Sequence, residues 1–236
     1  MTKINNNNIL PELSILNDGK NNWKSDQHYH LAEHFSALNL SDEAKIEQIA
    51  LHFGAIMELL GLDTSEHSLQ ATPQRVAKMY VKDIFAGLNE DNFPKIELFV
   101  NDASAESFKV SQQQTLFSKV NFISFCEHHF VPMIGCAYVA YVPHKKLIGL
   151  SKIPQIVRYF AARPQLQERL TGEIANCFSS LLETEHVAVS LKANHCCVMV
   201  QDMHAGQHQT ITNVLCGDFH HNSNLRQEFL TLINSN

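Results

Sequence analysis

The stretch "HVAVSLKANHCCVMVQ" (residues 186–201) decides the class of this chain. Its side chains alternate as a β-strand requires, so Val187, Val189, Leu191, Ala193, His195, Cys197, Met199 and Gln201 share one face. The first half of that face is apolar. A histidine and a cysteine then follow at positions i and i+2, about 7 Å apart if the strand continues. A potential metal ligand therefore sits next to a potential proton carrier.

Other strands flank it. "KIELFV" (95–100), "SKVNFISF" (118–125), "CAYVAYVPH" (136–144) and "TITNVLC" (210–216) are rich in β-branched and aromatic residues. Helical spacing governs the rest. In "EAKIEQIALHFGAIMELLG" (43–61) Ile46, Ile49, Ala50, Phe53, Ile56, Leu59 and Leu60 form a stripe, with Ser41 as N-cap and Gly61 as stop. In "ATPQRVAKMYVKDIFAGL" Thr72 is an N-cap candidate, Pro73 fits the first helical position, and Val76, Met79, Tyr80 and Phe85 suit burial before Gly87 ends the segment. Ser151 heads a helix carrying Ile153, Ile156, Val157 and Phe160. Pro164 interrupts it, and a second helix carries Leu166, Leu170, Ile174, Phe178 and Leu181. "NLRQEFLTLIN" closes the chain. The expected class is α+β: helices first, then an antiparallel sheet interrupted by a helix pair. The expected division is a flexible extension over 1–40, a helical region over 41–92 and a sheet domain over 93–236.

Composition narrows the function. The 236 residues are 44% hydrophobic and 18% charged, and the formal net charge is −6. Such a balance gives no basis for nonspecific nucleic-acid binding. No apolar run approaches the roughly 20 residues that span a bilayer, and the Asn-rich start has no signal-peptide core, so no membrane partner and a cytoplasmic location are expected. The six cysteines (126, 136, 177, 196, 197 and 216) are expected as core residues, metal ligands or nucleophiles rather than disulfides.

"FISFCEHHFVPMIGC" (122–136) sets Cys126, Glu127, His128 and His129 inside an apolar run, where each polar group needs a partner. Cys126 and His129 are three residues apart and can face one metal ion. Cys197 would complete a Cys2His set with an open position, as hydrolytic zinc uses, and His128 and His195 would flank it as proton carriers with an ordinary pKa of about 6.5. Plainer readings stand beside this one. A C-x-x-H pair arises by chance, Cys197 alone reads as a small buried hydrophobe, and Cys126 with a histidine reads as a nucleophile pair. His28, His30, His34, His52, His67 and His186 read as surface or structural histidines.

"CEHHFVP", "IGLSKI", "RPQLQERLT", "NHCCVMV" and "TPQRVAKMYVKDIFAGL" together resemble GTP cyclohydrolase I, in order, from about residue 43 to the C-terminus. The resemblance implies a tunnelling fold (T-fold), face-to-face pentamers forming a homodecamer, and active sites at subunit interfaces. It implies hydrolytic opening of the guanine imidazole ring of GTP, with loss of formate and formation of 7,8-dihydroneopterin triphosphate. By this match Cys126, His129 and Cys197 hold Zn2+, and His128 and His195 transfer protons. Gln167 and Glu168 read the purine, while Ser151, Lys152 and Arg75 contact the ribose and phosphates. Without the resemblance, Ser151 is simply a helix cap and Glu168 and Arg75 are solvated helix residues.

The family's phosphate pocket has two further arginines where this chain has Gln155 and Gln201, and Asp202 follows. Glutamine supplies neither the charge nor the fork of arginine, and each hydrogen bond to a charged group is worth about 1.5–3 kcal/mol. Lys145, Lys146, Lys152, Arg158, Arg75, His204 and His208 are the remaining cationic candidates. The departure points to a paralogue, and leaves open a guanine nucleoside or less phosphorylated nucleotide as substrate, or a non-catalytic ring subunit.

Overall fold

The computed structural model describes residues 40–101, 115–201 and 209–235, all within the unit Leu31–Asn236. The N-terminal extension, His28, His30, His34, Asp202, His204 and His208 lie outside the described residues, apart from Leu40 at the end of that extension.

Helix α1 (Asp42–Leu59) begins where Ser41 Oγ accepts the Ala44 N–H at 3.2 Å. It ends in a Schellman motif. Gly61 takes a left-handed φ of 83°, Leu62 N–H donates to Met57 O, and Gly61 N–H donates to Glu58 O. Ile56, Leu59 and Leu60, at the end of the apolar stripe, are exposed on this chain. Helix α2 (Thr72–Met79) has Ala71, not Thr72, at its N-cap position, and no side chain caps it. Met79 is exposed rather than buried. The helix widens into a π-turn (Tyr80–Ile84), closed by Phe85 N–H on Tyr80 O, which turns Phe85 inward.

Two sheets follow. In the smaller, β1 (Leu98–Val100) pairs with β4 (Lys146–Ile148), so only the last half of "KIELFV" is strand. The larger has the order β5-β2-β3-β6-β7. Its members are β2 (Leu116–Cys126), β3 (Pro132–Tyr141), β5 (Pro164–Gln165), β6 (Val187–His195) and β7 (Gln209–Leu215). All neighbours are antiparallel except β5 on β2. The helix pair is α3 (Lys152–Ala161) and α4 (Gln167–Leu182), separated at Pro164 as expected. Ile153, Ile156, Phe160, Leu170, Ile174 and Phe178 are fully buried against one sheet face. On the other face Tyr138, Ala140 and Ala188 pack with Phe219 of α6 (Asp218–His221) and Phe229 and Ile233 of α7 (Ser223–Ser235). The architecture is α+β.

The strand read over 186–201 is shorter than expected. It ends at His195, and Cys196–Gln201 forms helix α5. The cause is the register: His195 pairs with Met133, next to the start of β3, and Asn194 pairs with Gln209 at the start of β7. Among the described residues no ladder continues beyond that point. The chain satisfies its backbone groups by coiling instead. Cys197 is therefore presented by a helix and not by the strand face that carries His195.

Candidate active site

Strands β2 and β6 run the same way on either side of β3, so Cys126 and His195 finish at one end of the sheet. Beyond Cys126 the chain makes a tight turn. Phe130 N–H donates to Cys126 O at 2.8 Å, and Cys126 N–H donates to Val131 O at 2.9 Å. Phe130 adopts φ 53°, a left-handed conformation that costs a residue with a β-carbon about 1–2 kcal/mol. Its ring sits edge-on to Phe85, centroids 5.2 Å apart. The π-turn thus places Phe85 where it holds this strained residue.

The turn brings Cys126 Sγ to 3.7 Å from His129 Nδ1. Helix α5 brings in Cys197, and the donor atoms of Cys126, His129 and Cys197 all lie within 4.8 Å of one another. Tetrahedral zinc with ordinary Zn–S and Zn–N bonds separates such donors by about 3.6–3.8 Å, so two thiols and an imidazole at these distances fit the ion. Burial, and then the neighbouring Cys126 sulfur, push the Cys197 thiol up. A cation between the two sulfurs would relieve both effects. His128 is well exposed beside this cluster, its ring 6.2 Å from that of His129.

His195 is held from behind. Its Nε2 lies 2.7 Å from Gln167 Oε1. Gln167 is only 2% exposed, and its amide nitrogen donates toward Leu191 O, Thr210 O and Thr212 Oγ1. Carbonyl oxygens only accept, which fixes the amide's orientation and puts its oxygen toward His195. The ring nitrogen facing it, Nε2, then carries hydrogen. Gln167, expected to read the purine, has its side chain committed inside the protein. Glu168, the next residue, is exposed at the start of α4.

The remaining expected contacts are not gathered here. Ile148 N–H reaches Tyr141 Oη, at the far end of β3 from Pro132, and Ser151 and Lys152 follow at the head of α3. Helix α3 then returns to Pro164 beside Phe125. Ser151 and Lys152 thus stand at the opposite end of this chain's sheet from Cys126. Ser151 occupies the N-cap position of α3 but makes no capping bond. Arg75 is exposed on α2, ten residues before Phe85. Gln155, Arg158 and Gln201 are exposed, and Lys146 is engaged with Glu183 at 2.6 Å.

Residues 49–234 match the family model of GTP cyclohydrolase I. Proteins named GTP cyclohydrolase 1 from Salmonella arizonae, Salmonella paratyphi B and Salmonella newport are each 47% identical to this chain over 194 residues, covering 82% of it and 85% of the relative.

The chain belongs to the GTP cyclohydrolase I family.

It is a hydrolase of that type, and the matched span takes in every candidate site residue. Among the described residues no helix is long and apolar enough to cross a membrane. Sequence reading gives no role to two residues beside this candidate site. Glu127 carried no assignment, and Arg169, whose guanidinium meets the Glu127 carboxylate, was one more charge in "LQERL". No local signal distinguishes a helix arginine that faces inward from one that faces water.

Proposed function

We propose that this chain opens the guanine imidazole ring of GTP by zinc-dependent hydrolysis, consuming water, releasing formate and forming 7,8-dihydroneopterin triphosphate, the first step toward tetrahydrofolate and pterins. The observation that carries the reading is the convergence of Cys126, His129 and Cys197 with His128 and His195 at one sheet end.

Cys126, His129 and Cys197 would hold the ion. When bound, zinc supplies Lewis acidity that activates water near neutral pH. His128 is exposed enough to meet substrate and exchange protons with it. His195, held in place through Nε2 by Gln167, is the second proton carrier. Glu168 accepts N–H bonds from the guanine edge, which favours guanine over bases lacking those donors.

Ser151, Lys152 and Arg75 serve the ribose and phosphates from a neighbouring subunit or from the helical region. The placement of Ser151 and Lys152 far from Cys126 supports a site assembled from two copies. So do the exposed Ile123, Ile134 and Ile211 on one sheet face and the outer edge of β7, which no described strand covers. A T-fold homodecamer in the cytoplasm, with a helical region over 41–92 and a catalytic domain over 93–236, accommodates all of these.

The test is incubation of zinc-loaded protein with GTP, followed by oxidation and detection of a fluorescent pterin. A signal lost in His128→Ala supports the reading. No signal from assembled, zinc-containing protein overturns it and directs attention to guanosine and its monophosphate, for which the exposed Gln155 and Gln201 are the specific argument.

A further inference from the structure

We propose that Arg169 is a positioning residue for the metal-binding turn and that it acts through Glu127. The inference rests on the metal reading of Cys126, His129 and Cys197.

The turn from Glu127 to Val131 contains a left-handed phenylalanine, so its shape must be imposed by what surrounds it. Phe85 does so on one side. On the other, Glu127 is gripped twice by one short segment. Its N–H donates to Gln165 O at 3.1 Å, and its carboxylate takes the Arg169 Nη2 donor. The second carboxylate oxygen lies 3.9 Å from His128 Nε2, so Glu127 stands between the guanidinium and the candidate proton carrier.

Arg169 is preset for this. Its Nε donates to Gln165 Oε1 at 3.0 Å, and its Nη2 also donates to Pro164 O at 3.0 Å. Gln165 is 2% exposed and its amide donates to Phe160 O and to Glu173 Oε2. A planar fork fixed at two points delivers a third hydrogen bond with direction as well as charge. Exposed ion pairs contribute little, but this pair is about 70% shielded on both sides, and its effect is on geometry.

Placement in the fold gives the pair its meaning. Arg169 lies two residues beyond Gln167 in the first turn of α4. Gln167 holds His195 at the end of β6, and Arg169 holds Glu127 at the end of β2. A single helical turn therefore grips both arms of the site and sets their separation, leaving Glu168 between them exposed.

The experiment uses the full chain loaded with zinc. Zinc affinity is measured by competition with a chromophoric chelator, kcat and KM with GTP, and folding by circular dichroism and thermal unfolding. Arg169→Met and Glu127→Met should each weaken zinc binding and lower kcat about ten-fold, with KM within about two-fold of the parent. The double variant should be no worse than the poorer single, and Arg169→Lys should recover most of the zinc affinity. If Arg169→Met fails to fold, Arg169→Gln and the shape-preserving Glu127→Gln carry the test, each losing zinc affinity by more than about two-fold. Zinc affinity and kcat within two-fold of the parent overturn the proposal, as does a double variant whose loss is the product of the two singles. A parent that binds no zinc overturns this proposal and the metal reading together. A parent that binds zinc but forms no pterin sinks the GTP reading alone, and the zinc affinities of the variants still decide this one.

Discussion

Gln167 Oε1 stands 2.7 Å from His195 Nε2, and the same amide spends its nitrogen on two backbone carbonyls and a threonine hydroxyl. The side chain is a brace between α4, β6 and β7. Gln167→Leu should leave Leu191 O and Thr210 O without this donor and cost about 1–3 kcal/mol of stability. It should also let the His195 ring move, lowering kcat by about ten- to a hundred-fold. Thermal unfolding and the pterin assay read the two effects separately. Unchanged kcat in a destabilised protein would show that the brace is structural only.

Removal of a metal ligand should act differently. Cys197→Ser or Cys126→Ser should abolish stoichiometric zinc and at least 99% of the ring-opening activity, a loss of about 3 kcal/mol or more in transition-state stabilisation. Dialysis of the parent against a chelator should do the same, with recovery on adding zinc. Metal content by elemental analysis is the direct check. Full activity in metal-free protein would revive the reading of Cys126 as a nucleophile.

The phosphate side can be probed by restoring charge. Gln155→Arg combined with Gln201→Arg should lower KM for GTP, by about ten-fold for each productive contact, and leave KM for guanosine unchanged. Steady-state kinetics on both substrates decides it. Equal changes for the two would mean that neither position faces the phosphates.

Gly87 is a close-approach site. A Cβ there would fall 2.1 Å from Tyr159 O and 2.8 Å from Ala162 O, while Gly87 N–H donates to Ala162 O and Arg163 Nε donates to Gly87 O. Backbone cannot yield as a side chain can. Gly87→Ala should destabilise by about 3 kcal/mol or more and lower Tm by roughly 5–10 °C. Calorimetry on the full chain measures it.

Much of this architecture is written locally. Ser41 and Gly61 mark the ends of α1 because a cap and a left-handed stop are decided by neighbours in the chain. The alternation of β6 and the break at Pro164 are equally local. The three residues that could hold a metal were also legible as candidates, since Cys126 and His129 share one turn and Cys197 stands in a motif that resembles the family's.

The sequence by itself determined the α+β class, the main helices and strands and the residues with the chemistry to bind a metal or carry protons, because these depend on periodicity, capping and side-chain type. Only the tertiary structure decided where β6 stops, since that depends on Met133 being its last partner on β3. It alone turned Gln167 inward and brought Arg169 to Glu127, because those partners are separated by 28 and 42 residues along the chain. It also placed Ser151 and Lys152 at the far end of the sheet. Hydrogen bonds between distant segments leave no periodic trace in a sequence, and they are what give this site its shape.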